Sequence, residues 1–283
     1  MKIAVTGATG QLGSLVINAL KARVPVAEIV ALVRTPAKAA NLGVSARTFD
    51  YSKPETLPAA LAGIDALLLI SSNEIGQRGP QHRNVIEAAK KAGVPWIVYT
   101  SLLHADTSAI TALSGEHLDT EAALKASGID YTLLRNGWYT ENYTGSVPGA
   151  VQGGAFLGSA GQGRISSAAR ADYAEAAAVV LTTPGHKNKT YELAGDTAYT
   201  LTDLVSEISR QTGKNIPYKN LPEAEYAKIL EGFGLPVPLA TAFASFDTGA
   251  AQDALYENGG QLAKLLAHPT TTLADAVAAA LKA

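Results

Sequence analysis

Val5-Thr6-Gly7-Ala8-Thr9-Gly10-Gln11-Leu12-Gly13 is the stretch that decides the fold. Residues 2–6 read as a short apolar strand, and the glycines at 7, 10 and 13 open an amphipathic helix with Leu12, Leu15, Val16 and Leu20 on one face. A strand that turns on glycines into a helix presents unpaired N–H groups to a phosphate. Gly7 allows the tight turn, Gly10 lets backbone approach a pyrophosphate, and Gly13 lets helix pack closely on strand. The spacing is G-x-x-G-x-x-G rather than the commoner G-x-G-x-x-G, and its place on the first strand–helix junction favours a dinucleotide site over a merely structural turn.

Working outward, residues 29–33 form a second apolar strand that ends on Arg34. In a doubly wound fold this strand end lies beside the adenosine ribose, where an acid favours a free 2′-hydroxyl and an arginine receives a 2′-phosphate. Arg34 therefore points to NADPH, with NADH possible; the competing reading is a solvated arginine at a strand end. Residues 46–49 make a third strand, followed by Asp50, either an acceptor for the adenine amino group or a cap for a helix starting near Lys53. The unbroken apolar run 66–70 suits a strand covered on both faces, and Ser71, Ser72 and Asn73 follow at its carboxyl end, where open α/β sheets bind ligands. A helix over 80–92, a strand over 96–100, a helix over 116–126 and a strand over 131–136 complete the alternation. The expected fold is α/β, a Rossmann-type doubly wound parallel sheet with right-handed crossovers.

Past Tyr143 the character changes. Residues 145–163 are dense in glycine and read as a winding segment over the cleft. Helices are expected over 172–181, 202–211, 222–230 and 272–281, the last capped by a threonine, with strands over 190–193 and 215–218; prolines 236 and 238 are expected to break the chain. The chain thus divides into a dinucleotide-binding domain over 1–145 and a smaller, mostly helical lobe over 146–283, at a boundary that later elements can cross by returning to the sheet.

The 283 residues suffice for a sizeable core, and a formal charge of −2 gives no reason to expect nucleic acid or an anionic membrane as partner. There is no cysteine, which excludes disulfides, thiolate catalysis and cysteine metal sites. No signal-type apolar run opens the chain and no segment approaches membrane-spanning length, so a cytoplasmic protein is expected.

Three groups of residues offer chemistry. His117 and Glu121 lie one helical turn apart, as a general-acid pair or as a polar pair without a catalytic role; no third ligand makes them a metal site. Arg135-Asn136-Gly137-Trp138-Tyr139-Thr140-Glu141-Asn142-Tyr143 begins at the end of the sixth strand, on the same edge as the glycine turn. Asn136 and Gly137 offer backbone and amide groups to a nicotinamide carboxamide. Trp138 and Tyr139 offer a stackable wall, unless Trp138 and Tyr143 plug the seam between lobes, and Tyr139 and Asn142 lean towards the pocket. His104, after the fifth strand, is a proton donor to a reduced product or a surface histidine. Arg170 reaches back to the cofactor or caps the following helix with Asp172.

The combination TGATGQLG, ALVR, LLLISSNEIGQR, PQHRNVIEAAKKAGV, YTSLLHADTS, LLRNGWYTENY and HPTTTL resembles the NmrA-like branch of the atypical short-chain dehydrogenases, in particular its bacterial type 2 NAD(P)H:quinone oxidoreductases. The resemblance runs from Lys2 to the last helix. It implies a Rossmann lobe with a smaller C-terminal lobe, NADPH as cofactor and a small-molecule quinone as hydride acceptor. It also implies that Gly7, Ala8, Thr9, Gly10, Gln11, Leu12, Arg34, Ser71, Ser72, Asn73, Asn136, Gly137, Trp138, Tyr139, Thr140, Glu141 and Arg170 line the cofactor. Reductases with this glycine spacing usually carry Tyr-x-x-x-Lys where this chain has His117 and Glu121, and the resembling families lack that pair too. The absence is chemically intelligible, because a quinone accepts hydride readily and the site needs mainly to hold two rings together. Tyr139, Asn142 and His104 are the candidates for the substrate side. The alternative is a non-catalytic NADP(H)-binding redox sensor of the NmrA type.

Overall fold

The structure, a computed structural model, describes residues 1–282. Its first half alternates strand and helix: β1 (Ile3–Thr6), α1 (Gln11–Lys21), β2 (Ile29–Val33), β3 (Ser45–Thr48), α2 (Leu57–Ala60), β4 (Ala66–Leu69), α3 (Arg78–Ala92), β5 (Trp96–Leu102), α4 (Thr111–Ser127) and β6 (Asp130–Asn136). Then come α5 (Glu141–Thr144), α6 (Val147–Gly153), β7 (Phe156–Gly158), α7 (Arg170–Thr182), β8 (Lys189–Leu193), α8 (Leu201–Thr212), β9 (Tyr218–Asn220), α9 (Glu223–Gly232), α10 (Val237–Ala250), α11 (Gln261–Leu266) and α12 (Leu273–Ala280).

Seven strands form one sheet in the order β3-β2-β1-β4-β5-β6-β8, and every neighbouring pair is parallel. β1, β2, β4 and β5 are buried along their whole length because helices cover both faces, which is why they read as unbroken apolar runs. One face packs Val16, Ile17 and Leu20 of α1 with Ala177, Val180 and Leu181 of α7 and Leu262 of α11. The other packs Leu57 of α2, Val85 and Ile86 of α3 and Leu124 of α4. The boundary near residue 145 is crossed: α7 returns to the sheet beside α1, and β8 pairs with β6.

The remaining C-terminal elements bury a core of their own, with Tyr143, Val147, Phe156, Leu204, Ile208, Phe246 and Val277. Residues 145–163 do not simply wind over the cleft. They hold α6, stopped by Gly154 in the left-handed region (φ 75°), and β7. The strand expected at 215–218 lies instead at Tyr218–Asn220, because its register is set by parallel pairing with β7, Phe156 opposite Tyr218 and Gly158 opposite Asn220. Prolines 236 and 238 start α10 rather than breaking the chain, since a first-turn proline lacks only an N–H that would be unpaired anyway. The threonine cap of α12 is formed: Thr272 Oγ1 accepts the Asp275 N–H at 3.1 Å. Among the described residues no helix is long and apolar enough to cross a membrane.

The glycine turn sets how closely α1 approaches the end of β1. A Cβ on Gly13 would stand 2.3 Å from the Gly7 carbonyl oxygen and 2.8 Å from the Ala8 Cα, both rigid backbone atoms. Gly13→Ala must therefore push α1 off β1. The expected loss is roughly 1–3 kcal/mol in ligand-free protein, the range for overpacking a close contact, read as a lower urea midpoint at unchanged slope.

Candidate active site

The strand order reverses between β1 and β4, so the carboxyl ends of these strands diverge and leave a crevice of about 550 Å³. Side chains pin the strands where they part. Thr6 Oγ1 donates to the Leu68 carbonyl at 3.2 Å and accepts the Ile70 N–H at 2.9 Å, and the Ser71 N–H donates to Thr100 Oγ1 at 2.9 Å. Gly7, Thr9, Gly10, Gln11 and Leu12 line the crevice, whereas Ala8 is fully buried beneath the turn. Gly7 takes φ 57°, and the Gly10 N–H donates to its carbonyl at 2.8 Å. Gly10 gives α1 no side-chain cap and no acid occupies its first turn, so the free N–H groups and the positive helix end face the crevice.

At the β2 end, Arg34 is 71 % exposed and its guanidinium is 3.5 Å from Glu74 Oε1, too open a pair to hold it firmly. Lys38, which the sequence reading overlooked, lines the same wall. Asp50 also lines the crevice, but its Oδ1 accepts the Ser52 N–H at 3.0 Å, the local turn role. Gln81 is a second residue the reading missed: it is buried, its Nε2 donates to Glu74 Oε2 at 2.8 Å, and its Oε1 has no partner. Ser71, Ser72 and Asn73 form the β4 rim, with the Ser72 N–H donated to His82 Nε2 at 2.9 Å.

At the β6 end several expected contacts are already committed elsewhere. The Gly137 N–H donates to the Leu193 carbonyl at 2.7 Å and the Asn136 carbonyl accepts the Leu103 N–H at 3.0 Å, so neither backbone group is free, in contrast to expectation. Pairing of β6 with its neighbours uses them. The Asn136 side chain is the exception, buried with Oδ1 unpartnered. Trp138 lies edge-on to Phe246 at 5.6 Å and packs on the C-terminal core; this is the seam role rather than a wall for a ring. Thr140 is buried with its hydroxyl 2.8 Å from Ser167 Oγ, turned to the protein rather than the crevice. Both Glu141 oxygens accept the Arg170 N–H, at 3.0 and 3.1 Å, so Glu141 caps α7. Asp172 does not: its carboxylate holds Thr271, accepting the backbone N–H and the hydroxyl at 2.9 Å each.

Tyr139 and Asn142 meet at Arg170. The guanidinium carbon stands 4.9 Å from the Tyr139 ring centroid, and Nη2 donates to Asn142 Oδ1 at 2.9 Å. Burial pushes the Tyr139 phenol above its ordinary pKa, so it stays protonated at neutral pH. His104 is drawn away from this group. It takes φ 50°, and its Nε2 lies 3.0 Å from Glu257 and its Nδ1 3.9 Å from Glu192.

His117 and Glu121 do not form a pair, and neither opens into the crevice. Glu121 is 1 % exposed and takes two guanidinium N–H groups of Arg135, at 2.9 and 2.8 Å, and the Ser101 hydroxyl at 2.7 Å. His117 Nδ1 bonds the Tyr99 hydroxyl at 2.7 Å. His82 accepts from Ser72, so its Nδ1 carries the proton and donates to Thr120 Oγ1 at 2.9 Å. Burial and the nearby Arg78 charge push both histidines down to about 3, and both are neutral at pH 7. Among the described residues no group of His, Asp and Glu is placed to hold a metal ion.

Neutral buried histidines make stability depend on pH. Unfolded, each protonates near its ordinary value; folded, each resists protonation until about pH 3. Their contribution is complete above about pH 6.5 and is lost on acidification at ~1.4 kcal/mol per pH unit for each group. Urea unfolding at pH 7 and pH 5 should show a smaller difference for His82→Gln than for the unaltered protein. The comparison separates this effect from Asp247, which burial pushes up to about 6 and whose contribution falls as pH rises from 4 to 6.

The profile of the NAD(P)H-binding family matches residues 7–184. Quinone oxidoreductase 2 of Escherichia coli is 56% identical over 97% of both chains. The crystal structure of an NADPH-dependent quinone oxidoreductase from Escherichia coli, complexed with NADPH, superposes with a TM-score of 0.96 at 55% identity, over 99% of each chain. The Citrobacter sp. triphenylmethane reductase complexed with NADP(H) superposes with a TM-score of 0.95 at 38% identity, over 99% of this chain and 100% of that one. With a family match over more than half of the chain and a whole-length relative at this identity, the chain belongs to the NAD(P)H-binding family, in the group of quinone oxidoreductase 2.

Proposed function

We propose that this protein reduces quinones with NADPH. The observation that carries the reading is a crevice that begins at the uncapped end of α1, with the Arg34 and Lys38 cations on its β2 wall and Ser71, Ser72 and Asn73 on its β4 rim, while Arg170 holds the aromatic Tyr139 just past β6. The residues present fit the dinucleotide. The turn from Gly7 to Leu12 receives its diphosphate on free N–H groups, with Ala8 contributing backbone only. Arg34, assisted by Lys38, receives the 2′-phosphate, which competes easily with the loose Glu74 contact. Ser71, Ser72 and Asn73 face the ribose, the unpaired Gln81 Oε1 is an acceptor at the adenine end, and the unpaired Asn136 Oδ1 is an acceptor for the carboxamide.

Bound NADPH supplies the hydride and its electron pair. The chain would supply position: Arg170 locks Tyr139 and the Asn142 amide, the groups that would flank the ring of the acceptor. Trp138, Thr140 and Glu141 act one step behind, by fixing the loop and the start of α7. His104, tied to two carboxylates, lies off this path. The sensor reading is weaker, because the whole-length relatives named above are reductases.

Purified protein mixed with NADPH and a simple benzoquinone should bleach the nicotinamide absorbance; no turnover with several quinones would remove the proposal. Arg34→Ala should raise the KM for NADPH by about tenfold or more, the worth of a charge-assisted contact to phosphate, and leave that for NADH nearly unchanged. Equal losses with both cofactors would take the 2′-phosphate away from Arg34.

A further inference from the structure

Reduction by hydride adds two electrons and one hydrogen to a quinone, so one oxygen is left anionic until water protonates it. Such a charge is stabilised by a positive partner held in place beside it. Three guanidinium groups lie beyond the Ser71–Asn73 rim, on the β4–β6 side of the sheet, and two are already spent. Arg135 is buried among Glu121, Glu192 and Asp106, with N–O distances of 2.8, 2.8 and 3.2 Å. Arg170 lies over the Tyr139 ring and on the Asn142 amide.

Arg78, at the start of α3, differs from both. It is only partly exposed, yet no carboxylate lies within ion-pairing distance of it among the described residues. Its Nε donates to the Ser72 carbonyl on the crevice rim, and its Nη1 stands 3.5 Å from His117 Nε2. Nη2 has no hydrogen-bond partner among the described residues. Glu116 spends Oε1 on the backbone N–H groups of Gly76 and Arg78, at 3.0 and 3.1 Å, and its Oε2 is buried without a hydrogen-bond partner. Burial pushes the Arg78 pKa below its ordinary value against the opposing charge of Glu116, and Arg78 also acts at a distance on the phenols of Tyr99 and Tyr139. A half-buried cation with no carboxylate in contact is costly, and an arriving anion would offset that cost. Its two anchors, a backbone carbonyl and a neutral imidazole, fix the fork without neutralising it.

We propose that the free Nη2 edge of Arg78 receives the quinone oxygen that becomes anionic on reduction, with Ser72 and His117 holding the guanidinium in place. The inference rests on the quinone-reductase reading. Hydride and its electron pair leave the nicotinamide for the quinone, the dinucleotide is oxidised, and the resulting quinolate is paired with Arg78 until it takes a proton from water. The electrophilic role thus falls to a fixed cation, with no side-chain acid losing a proton.

The test uses 4-nitrophenol, a phenol that NADPH does not reduce and whose anion absorbs visible light, titrated with pH in the complex of the full chain with NADP⁺. The unaltered protein should lower the pKa of the bound phenol by about one unit, a tenfold preference for the anion. Arg78→Met should abolish that shift and lower kcat with benzoquinone by about tenfold to a hundredfold, at unchanged NADPH affinity by nicotinamide fluorescence. Arg78→Lys should restore part of both. A bound phenol with its free-solution pKa in the unaltered protein would overturn the proposal, and this needs no variant to fold. So would a folded Arg78→Met protein that keeps the shift, or one whose loss lies wholly in NADPH affinity. Absence of quinone turnover in the unaltered protein would instead remove the reading on which the inference rests.

Discussion

Everything in this molecule depends on α1 meeting the end of β1 with no side chain between them. Gly13 lies so close to the Gly7 carbonyl and the Ala8 backbone that only hydrogen fits, and Gly7 itself takes a positive φ. That contact fixes the direction of α1, and with it the line along which the free N–H groups point into the crevice. It also fixes the face of α1 against which α7 packs, so the return of the chain to the sheet after the smaller lobe is referred to the same turn.

The second constraint is how the sheet ends are made polar without becoming loose. Thr6, Thr100 and Tyr51 bond across the diverging ends of β1, β4 and β5, and His82 takes the Ser72 N–H from below. Behind β5 and β6 the carboxylates of Glu121 and Glu192 surround Arg135. These networks satisfy buried groups and rigidify the floor of the site. A few are left incomplete: Asn136 Oδ1, Gln81 Oε1, Glu116 Oε2 and Ser159 Oγ have no partner, and Arg78 has no carboxylate in contact among the described residues. Of these, Gln81 lines the crevice, and Arg78 is tied to its rim through the Ser72 carbonyl.

Much of the first half was legible in the residues. Apolar runs bounded by glycine and polar residues gave β2 to the residue and β1, β4 and β6 within one, because a strand buried on both faces has no alternation to blur it. The second half was less legible. β9 exists where β7 pairs with it, and α11 is too short to carry a pattern of its own. Prolines 236 and 238 were ambiguous, since the same residue ends one helix and starts another. Within the site, Arg34 and the glycine turn were visible from position along the chain. Lys38 and Gln81 at the crevice, and Arg78 on the Ser72 carbonyl of its rim, were not, since their places follow from how the β2 and β4 loops fold back.

By itself the sequence determined the parallel sheet, the glycine turn and the edge on which the crevice opens, because each follows from local spacing: glycine at three positions, apolar runs, and polar residues just past strand ends. Only the tertiary structure decided which of the polar residues are free. His117 and Glu121 share a helix face yet serve separate buried networks, Gly137 gives its N–H to Leu193, and Glu141 caps α7. The physical reason is that a hydrogen-bonding group is available to a ligand only if no neighbour in space has taken it, and those neighbours come from distant parts of the chain.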